Sequence, residues 1–544
     1  MKAFLIALLA LLAFSAPMTS RAQTAPLIID QSRPDRSPAA AATPGPPSPH
    51  GPGRVEAAPA AFTPFILREV RVQGSTASPD AVGSASQPYI GKTVGAADLR
   101  MIAEAIGAAY ASTDIALYTV LLPRQTFEGG VVRVIVVEGY IADIALTSND
   151  PEHDLGLTRS FAEQIKAEKP LRRSTLQRYI GLMRDIPGAT VDVQLLQAGP
   201  PGAVRLALNV KHRRWQSSLN VNNRGSTYLG RTQIEATATL NGALREGERT
   251  RLTVAFPTEL KRFRYVSLAH TEPLGPSGAT LNLSVGRLET KPKIAGFELS
   301  GTAVTGGAQV SYPLLRSDTR NIFLTGGIDG LNSDNALFGQ MISSERTRVL
   351  RLAASYGAQQ PKQAVSASIT LSQGVDGLGA RMADPLTDAA FRKVNMQAGL
   401  NRQVGSRVAV RLAAGAQYAH ERLPASEQFT FGGAQFGRAF ASAVAVGDSG
   451  IAGSAELAWR PAKGLPKVVS GSEFYGFADA GHVTMRAAGG FPGRSYNLSS
   501  AGGGVRLAVM SKGVIELEAS KALKDPVTGS GKPWRLMLSL RSNF

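Results

Sequence analysis

The chain has no cysteine among its 544 residues, so it forms no disulfide and holds no thiolate metal site. Its six histidines lie far apart, without the spacing that metal ligands usually share. Gly91-Lys92-Thr93 resembles the end of a phosphate-binding loop, but Ser86 stands where that motif needs its first glycine. A Gly-x-Ser-x-Gly motif is also absent. We therefore expect no enzymatic activity, no metal and no cofactor.

Long apolar runs are almost as scarce. Only Ala3–Phe14 is unbroken, and the mean hydropathy of −0.03 is that of a soluble protein. These features exclude a helical membrane protein, which needs several runs of about 20 apolar residues. They do not exclude a β-barrel, whose alternating strands hide the membrane face from any average. Lys2 before the run and small residues after it predict a signal peptide over residues 1–22, with a membrane anchor as the alternative.

The charge is strongly one-sided, with 59 Lys and Arg against 41 Asp and Glu, a net +18. The cations are scattered through the C-terminal region, often at strand ends or on polar strand faces. A secreted protein rarely meets nucleic acid, so we expect no nucleic-acid partner. We interpret the excess as a basic barrel lumen together with contacts to anionic lipid head groups.

Composition divides the chain before residue 213 into three parts. Residues 23–60 are rich in Pro, Ala, Gly and Ser and predict a disordered linker. Residues 61–139 predict a small α/β module, with helical apolar spacing over 94–110 between strands. Residues 140–212 repeat that pattern with two helices. In both modules the helices pack on the sheet, because each element has a single apolar face.

From residue 213 to 544 the sequence alternates between apolar and polar residues in strand-length runs. The last run shows it well: Trp534, Leu536, Leu538 and Leu540 share one face, and the chain ends on the aromatic Phe544. Bacterial outer-membrane barrels routinely end in this way. We count about 16 such strands, an even number as single-chain barrels require. They lie near 215–223, 231–242, 250–257, 263–272, 279–288, 303–312, 319–330, 347–357, 363–373, 393–402, 407–420, 451–460, 473–485, 500–510, 513–522 and 533–544.

The connections between these strands alternate in length. Inward turns such as 358–362, 403–406 and 511–512 are short, whereas outward loops 331–346, 374–392, 421–450 and 486–499 are long. The fold class is therefore mainly β: a 16-stranded antiparallel transmembrane β-barrel preceded by two small α/β domains. A periplasmic sandwich or propeller is the alternative, but it does not explain the strand number, the loop asymmetry and Phe544 together.

The longest outward connection, 421–450, is the sixth loop and the candidate functional element. A loop of this length without secondary structure of its own is more often functional than not. Its middle is apolar around one arginine, Arg438, so we expect it to fold into the barrel. A buried guanidinium needs a carboxylate, and Asp479 on strand 473–485 is the predicted partner, facing the lumen. The alternative is that Arg438 is an ordinary exposed loop arginine.

Several separate motifs together resemble the transporters of two-partner secretion, the haemolysin and filamentous-adhesin secretion and activation family. Gly129-Gly130-Val131 and Val136–Ile141 resemble the end of a first POTRA domain, and Asp185–Gly188 resembles part of a second. Asn222–Gly225 is similar to the first barrel loop. The sixth-loop motif comprises Phe431, Gly432, Gly433, Arg438, Phe440, Asp448 and Gly450, and the barrel-wall motif that receives it comprises Phe477, Asp479 and Gly481. The resemblance covers nearly all of 62–544.

This resemblance implies a function. Two POTRA domains in the periplasm would capture an unfolded partner exoprotein, and the barrel would pass it to the surface of a Gram-negative cell. The further partners implied are outer-membrane lipids and the barrel-assembly machinery, and the protein would be a monomer. The alternatives are a barrel-assembly insertase of the same superfamily, which usually carries more POTRA domains, and a passive porin, which has no use for the modules ahead of the barrel.

Two expectations concern binding and loop conformation. β-Augmentation on a POTRA sheet edge suits an extended substrate, and the groove around Leu99, Ile106, Leu176 and Tyr179 is the candidate region; plain core packing of these four is the alternative. In the family a glycine usually follows the arginine, where this chain has Ala439. A positive φ there would strain Ala439. Residues 23–60 contain too many prolines for the long N-terminal helix that the family often has.

Overall fold

A computed structural model describes residues 54–56, 62–77, 82–150, 154–294, 296–461, 471–509, 513–525 and 534–544. The predicted signal peptide and most of the predicted linker lie outside these residues. No helix among the described residues has both the length and the apolarity to cross a membrane. The chain folds as two α/β units followed by a closed barrel.

The first unit contains a four-stranded sheet of order β1-β5-β6-β3 against one long helix. Its elements are β1 (Arg54–Glu56), β2 (Phe65–Ile66), β3 (Glu69–Gln73), β4 (Thr93–Val94), α1 (Ala96–Ala111), β5 (Tyr118–Leu121) and β6 (Val131–Glu138). The helix buries its apolar stripe on the sheet, as the spacing predicts. Strand β1 corrects the predicted linker 23–60 at its C-terminal end, because it pairs in parallel with β5 and covers that sheet edge.

Tyr110, at the end of α1, ties the helix to two neighbours. Its hydroxyl bonds to Ser75 and donates to Glu138 Oε1 at 3.0 Å. Burial raises the pKa of Tyr110 to about 12, so the phenol stays protonated at neutral pH and remains a donor. The contact fixes the end of β6 where the first unit meets the second.

The second unit has the order β7-β9-β8 in its sheet, with two helices on one face. Its elements are β7 (Tyr140–Ser148), α2 (Gly156–Ala167), α3 (Arg173–Asp185), β8 (Ala189–Gln197) and β9 (Ala203–His212). Ala116 and Leu117 of the preceding connection join its core, and Ser174 at the start of α3 donates to Asp114 at 2.7 Å. The two units are therefore joined by packing as well as by the chain.

The remaining chain closes into an antiparallel barrel of 16 strands, which confirms the predicted fold class. The strands are β10 (Trp215–Asn222), β11 (Gln233–Asn241), β12 (Arg249–Pro257), β13 (Phe263–Pro273), β14 (Thr280–Thr290), β16 (Phe297–Arg316), β17 (Arg320–Leu337), β18 (Gln340–Gln360), β19 (Gln363–Gly374), β20 (Arg392–Gln403), β21 (Val408–Ala419), β24 (Ser449–Trp459), β25 (Glu473–Met485), β26 (Arg494–Val509), β27 (Gly513–Lys524) and β28 (Trp534–Asn543). The two-residue β15 (Lys293–Ile294) only extends the hairpin of β16.

The last strand closes the barrel on the first. Residues 539–543 of β28 pair with 218–222 of β10, and the Phe544 N–H donates to the Ser217 carbonyl at 2.8 Å. Trp534 and Phe544 are exposed on the outer face, where an apolar side chain meets lipid. Closure leaves no free sheet edge, which would otherwise be a site for unwanted strand pairing.

Four strands are longer than the alternation predicts. Strands β16, β17, β18 and β26 extend beyond their predicted ends, so the predicted outward loop 331–346 is wrong: it is the continuing hairpin of β17 and β18, which turns at Phe338-Gly339. Loop 486–499 shortens to 486–493 because β26 begins at Arg494. These polar outer segments keep pairing in water because neighbouring strands satisfy their backbone groups, and apolar alternation does not register them.

The second α/β unit docks on the inward end of the barrel through polar contacts, some of them buried. Arg316 at the end of β16 pairs with both carboxylate oxygens of Asp185 on α3, Nε–Oδ2 at 2.7 Å and Nη2–Oδ1 at 2.8 Å. Glu246, in the turn after β11, accepts the Thr158 N–H of α2 at 2.8 Å. Arg178 donates to the carbonyls of Pro313 and Ser277. The inward ends of three barrel hairpins, β11–β12, β13–β14 and β16–β17, thus hold the unit.

Candidate functional site

Loop 6, which links β21 and β24, lies inside the barrel. It carries a short antiparallel ribbon of β22 (Phe429–Phe431) and β23 (Ala445–Gly447), which corrects the expectation of a loop without secondary structure. The tip of the loop, 432–444, projects beyond this ribbon toward the wall formed by β24 to β27. The ribbon satisfies backbone groups that a buried loop would otherwise leave unpaired.

Aromatic side chains seat the ribbon on glycines of the wall. Phe431 is fully buried, and its ring lies over Gly481 of β25, where a Cβ would come within 2.4 Å of the ring. The Phe429 ring covers Gly450 in the same way, at 2.3 Å from an added Cβ. Phe440 packs against Phe431 with ring centroids 5.9 Å apart. Both motif glycines are therefore needed for close approach of the loop to the wall.

The Arg438 side chain is only 13% exposed at the tip of the loop, which excludes the alternative of an exposed loop arginine. Its Nη1 donates to Glu456 Oε2 at 2.9 Å and to Glu518 Oε2 at 3.3 Å. The guanidinium also stacks over Phe477, 4.2 Å from the ring centroid. The predicted guanidinium–Asp479 pair is wrong: the carboxylates that neutralise Arg438 come from β24 and β27, the strands on either side of β25 and β26.

Asp479 receives the loop through its backbone instead. Its Oδ2 accepts the Arg438 N–H at 3.1 Å, and its Oδ1 accepts the Ser500 hydroxyl at 2.5 Å. Ser500 Oγ in turn accepts the Ala439 N–H at 3.5 Å. Asp479 faces the lumen, as expected, and fixes the position of the peptide that carries Arg438 rather than the charge of its side chain.

The bend before Arg438 is made by glycine. Gly437 has φ +75° and lies against the Phe431 ring, and Gly432 and Gly433 both have φ +113°. Ala439 is not among the residues with positive φ, so the strain expected for an alanine at that position does not arise. In this chain the left-handed residue precedes the arginine, where a glycine is available.

Glu456 and Glu518 belong to a wider network of ion pairs on the wall. Glu456 also binds Arg411 and Arg506, both at 2.7 Å, and both arginines bind Glu473. Glu518, whose side chain is fully buried, also accepts from Arg224 after β10 and from the Tyr475 hydroxyl. These glutamates could not be identified from the sequence, where their only signal is an acid on the polar face of a strand, a feature that many barrel residues share.

A second group of ion pairs holds the first limb of the loop to the wall at β18 and β20. Glu427 binds Arg351 of β18 at 2.9 Å and Lys393 of β20 at 2.8 Å. Burial alone would raise the pKa of the Glu427 carboxyl, but Arg351 and Lys393 hold it far below its usual range. Arg351 is also bound by Asp329 of β17. Loop 6 is therefore anchored at two places on the wall, at β18 and β20 and at β24 to β27, of which only the second was predictable from the sequence.

The base of the loop is fixed by Asp448. Its carboxylate accepts the N–H groups of Leu423 and Arg486, each at 2.8 Å. These two residues follow β21 and β25, so Asp448 joins the two ends of the loop to the neighbouring strand. Asp448 and Gly450 thus act at the base, Phe431 in the ribbon and Arg438 at the tip.

We predict that Glu427→Gln loosens the first limb of loop 6 by about 2–3 kcal/mol, because Arg351 and Lys393 lose a buried anionic partner. Hydrogen exchange of the amides of 425–431, measured on the full-length protein in nanodiscs, checks this. Glu421→Gln is the control, since Glu421 lies in the same loop and accepts only one backbone N–H. Equal exchange in the two variants would contradict the role of this anchor.

The proposed substrate-binding residues do not form an open groove. Leu99 and Ile106 of α1 are fully inaccessible to solvent, Leu176 of α3 nearly so, and Tyr179 is a partly buried neighbour of the second core. These residues belong to two separate cores. The core-packing alternative is therefore correct for Leu99, Ile106 and Leu176, because helix faces that cover a sheet cannot also contact a substrate.

A closed 16-stranded barrel that contains an arginine-bearing loop and follows POTRA-type domains defines the class of POTRA-plus-barrel outer-membrane transporters. The sequence model of the family described as haemolysin secretion/activation protein ShlB/FhaC/HecB matches residues 203–507, and that of the ShlB-type POTRA domain matches 65–139. The chain belongs to this family of two-partner secretion transporters.

Similar proteins include two curated relatives and two solved structures. The heme/hemopexin transporter protein HuxB of Haemophilus influenzae (strain ATCC 51907 / DSM 11121 / KW20 / Rd) is 21% identical over 263 residues, 46% of each chain. HuxB of strain 86-028NP is 24% identical over 165 residues, 30% of this chain and 29% of that protein. The alignments thus span less than half the length of these relatives.

The structural likeness extends over most of the chain. CdiB from Escherichia coli superposes with a TM-score of 0.71 at 17% identity, over 89% of this chain and 91% of that one. CdiB from Acinetobacter baumannii gives 0.65 at 15% identity, over 93% and 95%. At these identities the likeness shows the fold alone.

Proposed function

We propose that this protein captures an unfolded partner exoprotein in the periplasm and passes it through its barrel to the surface of a Gram-negative cell. No catalysis, metal or cofactor takes part. The N-terminal segment directs the chain to the periplasm, and the barrel-assembly machinery inserts it into the outer membrane as a monomer. The energy comes from folding of the exoprotein outside the cell.

The observation that carries this proposal is the loop clamped inside the lumen at two places. An arginine stacked on Phe477 and bound by two buried glutamates holds the tip, and Glu427 holds the first limb. A loop held by side-chain contacts alone, without strand pairing to the barrel wall at its tip, can be displaced while the barrel stays closed. Loop 6 is therefore the gate, and its ion pairs set the cost of opening.

Capture takes place on the sheets of the two α/β units. In the second unit β8 lies at a sheet edge, as β3 does in the first, and an extended polypeptide can add to such an edge by backbone hydrogen bonds. Docking of α2 and α3 on the barrel keeps the second unit at the inward end of the barrel. Backbone pairing needs no particular side chains, which suits an unfolded substrate.

Secretion of the exoprotein encoded beside this gene tests the proposal. We expect Arg438→Ala and Asp479→Ala to lower the amount of exoprotein in the culture medium, while heat-modifiable gel mobility shows that the barrel is still folded. Arg460→Ala is the control, because Arg460 binds Glu473 of the same network from an exposed position. Normal secretion in both loop variants would contradict the gate.

The alternatives give different results in the same strains. An insertase would change the amounts of other outer-membrane barrels when it is depleted, and a passive porin would admit small solutes while leaving exoprotein secretion unchanged. BamA from Haemophilus ducreyi lacking POTRA domains 1–3 shares the fold, with a TM-score of 0.50 at 14% identity. That likeness concerns the fold and does not favour the insertase.

A further inference from the structure

The lumen of the barrel is electrostatically divided. On the side that loop 6 contacts, from β18 to β27, arginines and lysine are matched by carboxylates in the two groups of ion pairs. On the other side, β28, β10, β11 and β12 form a wall that makes no ion pair with loop 6 among the described residues; we call it the free wall.

Strand parity places four arginines on the lumen face of the free wall. Four leucines of β12 and β28 are exposed on the lipid face: Leu252, Leu536, Leu538 and Leu540. The alternate residues of the same strands therefore point into the lumen. Those residues include Arg249 and Arg251 on β12 and Arg535 and Arg541 on β28. Most other inward residues of these strands are Ser, Thr, Asn or Gln, and Glu235 of β11 is the one acid.

The four arginines make no ion pair among the residues that the structure describes, in contrast to Arg411, Arg438 and Arg506 on the other wall. Arg249 and Arg251 lie close enough to interact with each other, and Arg224 and Arg231 are electrostatic neighbours of Arg535. Unmatched like charges in one wall repel one another, so the wall attracts anions more strongly than an ion-paired one does.

The arginines also span the length of the lumen. Arg249 and Arg541 lie at the ends of their strands on the side of the docked α/β unit. Arg251 is the next lumen-facing residue along β12. Arg535 lies at the outward end of β28. Arg541 and Arg251 flank the polar residues of β10 and β11, since Asn220 pairs with Arg541 and Thr239 pairs with Arg251.

We propose that Arg249, Arg251, Arg541 and Arg535 form a basic track that binds acidic segments of an extended polypeptide during passage. The proposal rests on the proposed function and adds the chemistry of its substrate. Solvated arginine–carboxylate pairs contribute only about 0.2–1 kcal/mol each. Several weak sites in series favour binding at the inward end without preventing release at the outward end, as conduction through a pore requires.

Peptide binding to the full-length protein in neutral nanodiscs tests the track. The probes are fluorescent oligoglutamate and oligolysine of equal length, and fluorescence anisotropy is the readout. We expect oligoglutamate to bind more tightly than oligolysine at low ionic strength and to be released by added salt. The Arg251→Gln/Arg541→Gln variant should bind oligoglutamate about five-fold more weakly, and Arg251→Lys should restore part of the loss.

The matched control is Arg264→Gln/Arg287→Gln, which removes the same charge from the lipid-facing side of β13 and β14 and should leave binding unchanged. Equal binding of the two peptides, or equal weakening in both double variants, would overturn the track. Loss of secretion in Arg438→Ala together with unchanged peptide binding in Arg251→Gln/Arg541→Gln would leave the transporter standing and reject the track. Normal secretion in Arg438→Ala together with weaker oligoglutamate binding in Arg251→Gln/Arg541→Gln would reject the transporter alone.

Discussion

Arg438→Ala is expected to lower the free energy of local opening of the loop 6 tip by about 3 kcal/mol, the cost of breaking a buried ion pair by removing one partner. The variant loses the bonds to Glu456 and Glu518 and the stacking on Phe477. About 3 kcal/mol is the lower end of the cost of breaking a buried ion pair. The reason is that Glu456 keeps its pairs with Arg411 and Arg506, and Glu518 keeps its pair with Arg224. Hydrogen exchange of the amides of the tip, 432–440, measures it, with rates rising on the order of a hundredfold.

The control for this prediction is Arg460→Ala, which removes an arginine from the edge of the same network where its side chain is 57% exposed. An exposed pair contributes about 1 kcal/mol or less, so the exchange of the tip should barely change. Amides of the β22–β23 ribbon should be less affected than the tip, since Phe431 stays packed on Gly481. Equal exchange rates in Arg438→Ala and the unmodified protein would contradict the clamp.

Asp185→Ala is expected to weaken docking of the second α/β unit on the barrel by about 2 kcal/mol, between the values for exposed and buried pairs. The Arg316 side chain is only 3% exposed, and the variant leaves its charge with neutral acceptors, Asn321 Oδ1 and the carbonyls of Ser317 and Gly181. Since the chain has no cysteine of its own, spin labels at Glu163→Cys and Lys362→Cys report the distance between α2 and a barrel turn without background.

The distance distribution between these labels should be narrow in the parent protein and broad in Asp185→Ala. Asp143→Ala is the matched control, because Asp143 lies in the same unit and pairs with Arg205 where both side chains are about half exposed. We expect it to leave the distribution unchanged. An equally narrow distribution in Asp185→Ala would mean that Glu246, Arg178 and apolar packing are sufficient to hold the unit.

Strand number was predictable because the physics of a barrel wall is local. Each spanning strand must present apolar side chains to lipid at every second residue. A run such as Trp534–Leu540 can therefore be recognised as a strand from its own sequence, without knowledge of the neighbouring strands. The same rule fails beyond the membrane. The outer parts of β17 and β18 are polar on both faces, and their pairing depends on the partner strand, which an alternation pattern in one strand does not reveal.

The loop shows the same division at the level of single residues. The apolar phenylalanines around Arg438 in its middle indicate that it is buried, and Asp479 is correctly placed beside it. The acids that neutralise Arg438 could not be chosen from the sequence, because Glu456 and Glu518 lie 18 and 80 positions away and resemble any other acid on a lumen face. The prediction of a substrate groove around Leu99 was wrong for a related reason, since apolar spacing indicates a buried face but not what covers it.

The sequence by itself determined the class of fold, the two modules ahead of the barrel, the closing strand and the element that enters the lumen, because all of these follow from periodicity, chain length and local composition. Only the tertiary structure decided which carboxylates hold Arg438, that Glu427 makes a second anchor, that Asp185 and Arg316 join the second unit to the barrel, and which arginines of the lumen have no ionic partner. Charge pairing depends on distances between strands far apart in the chain, and barrel closure fixes those distances.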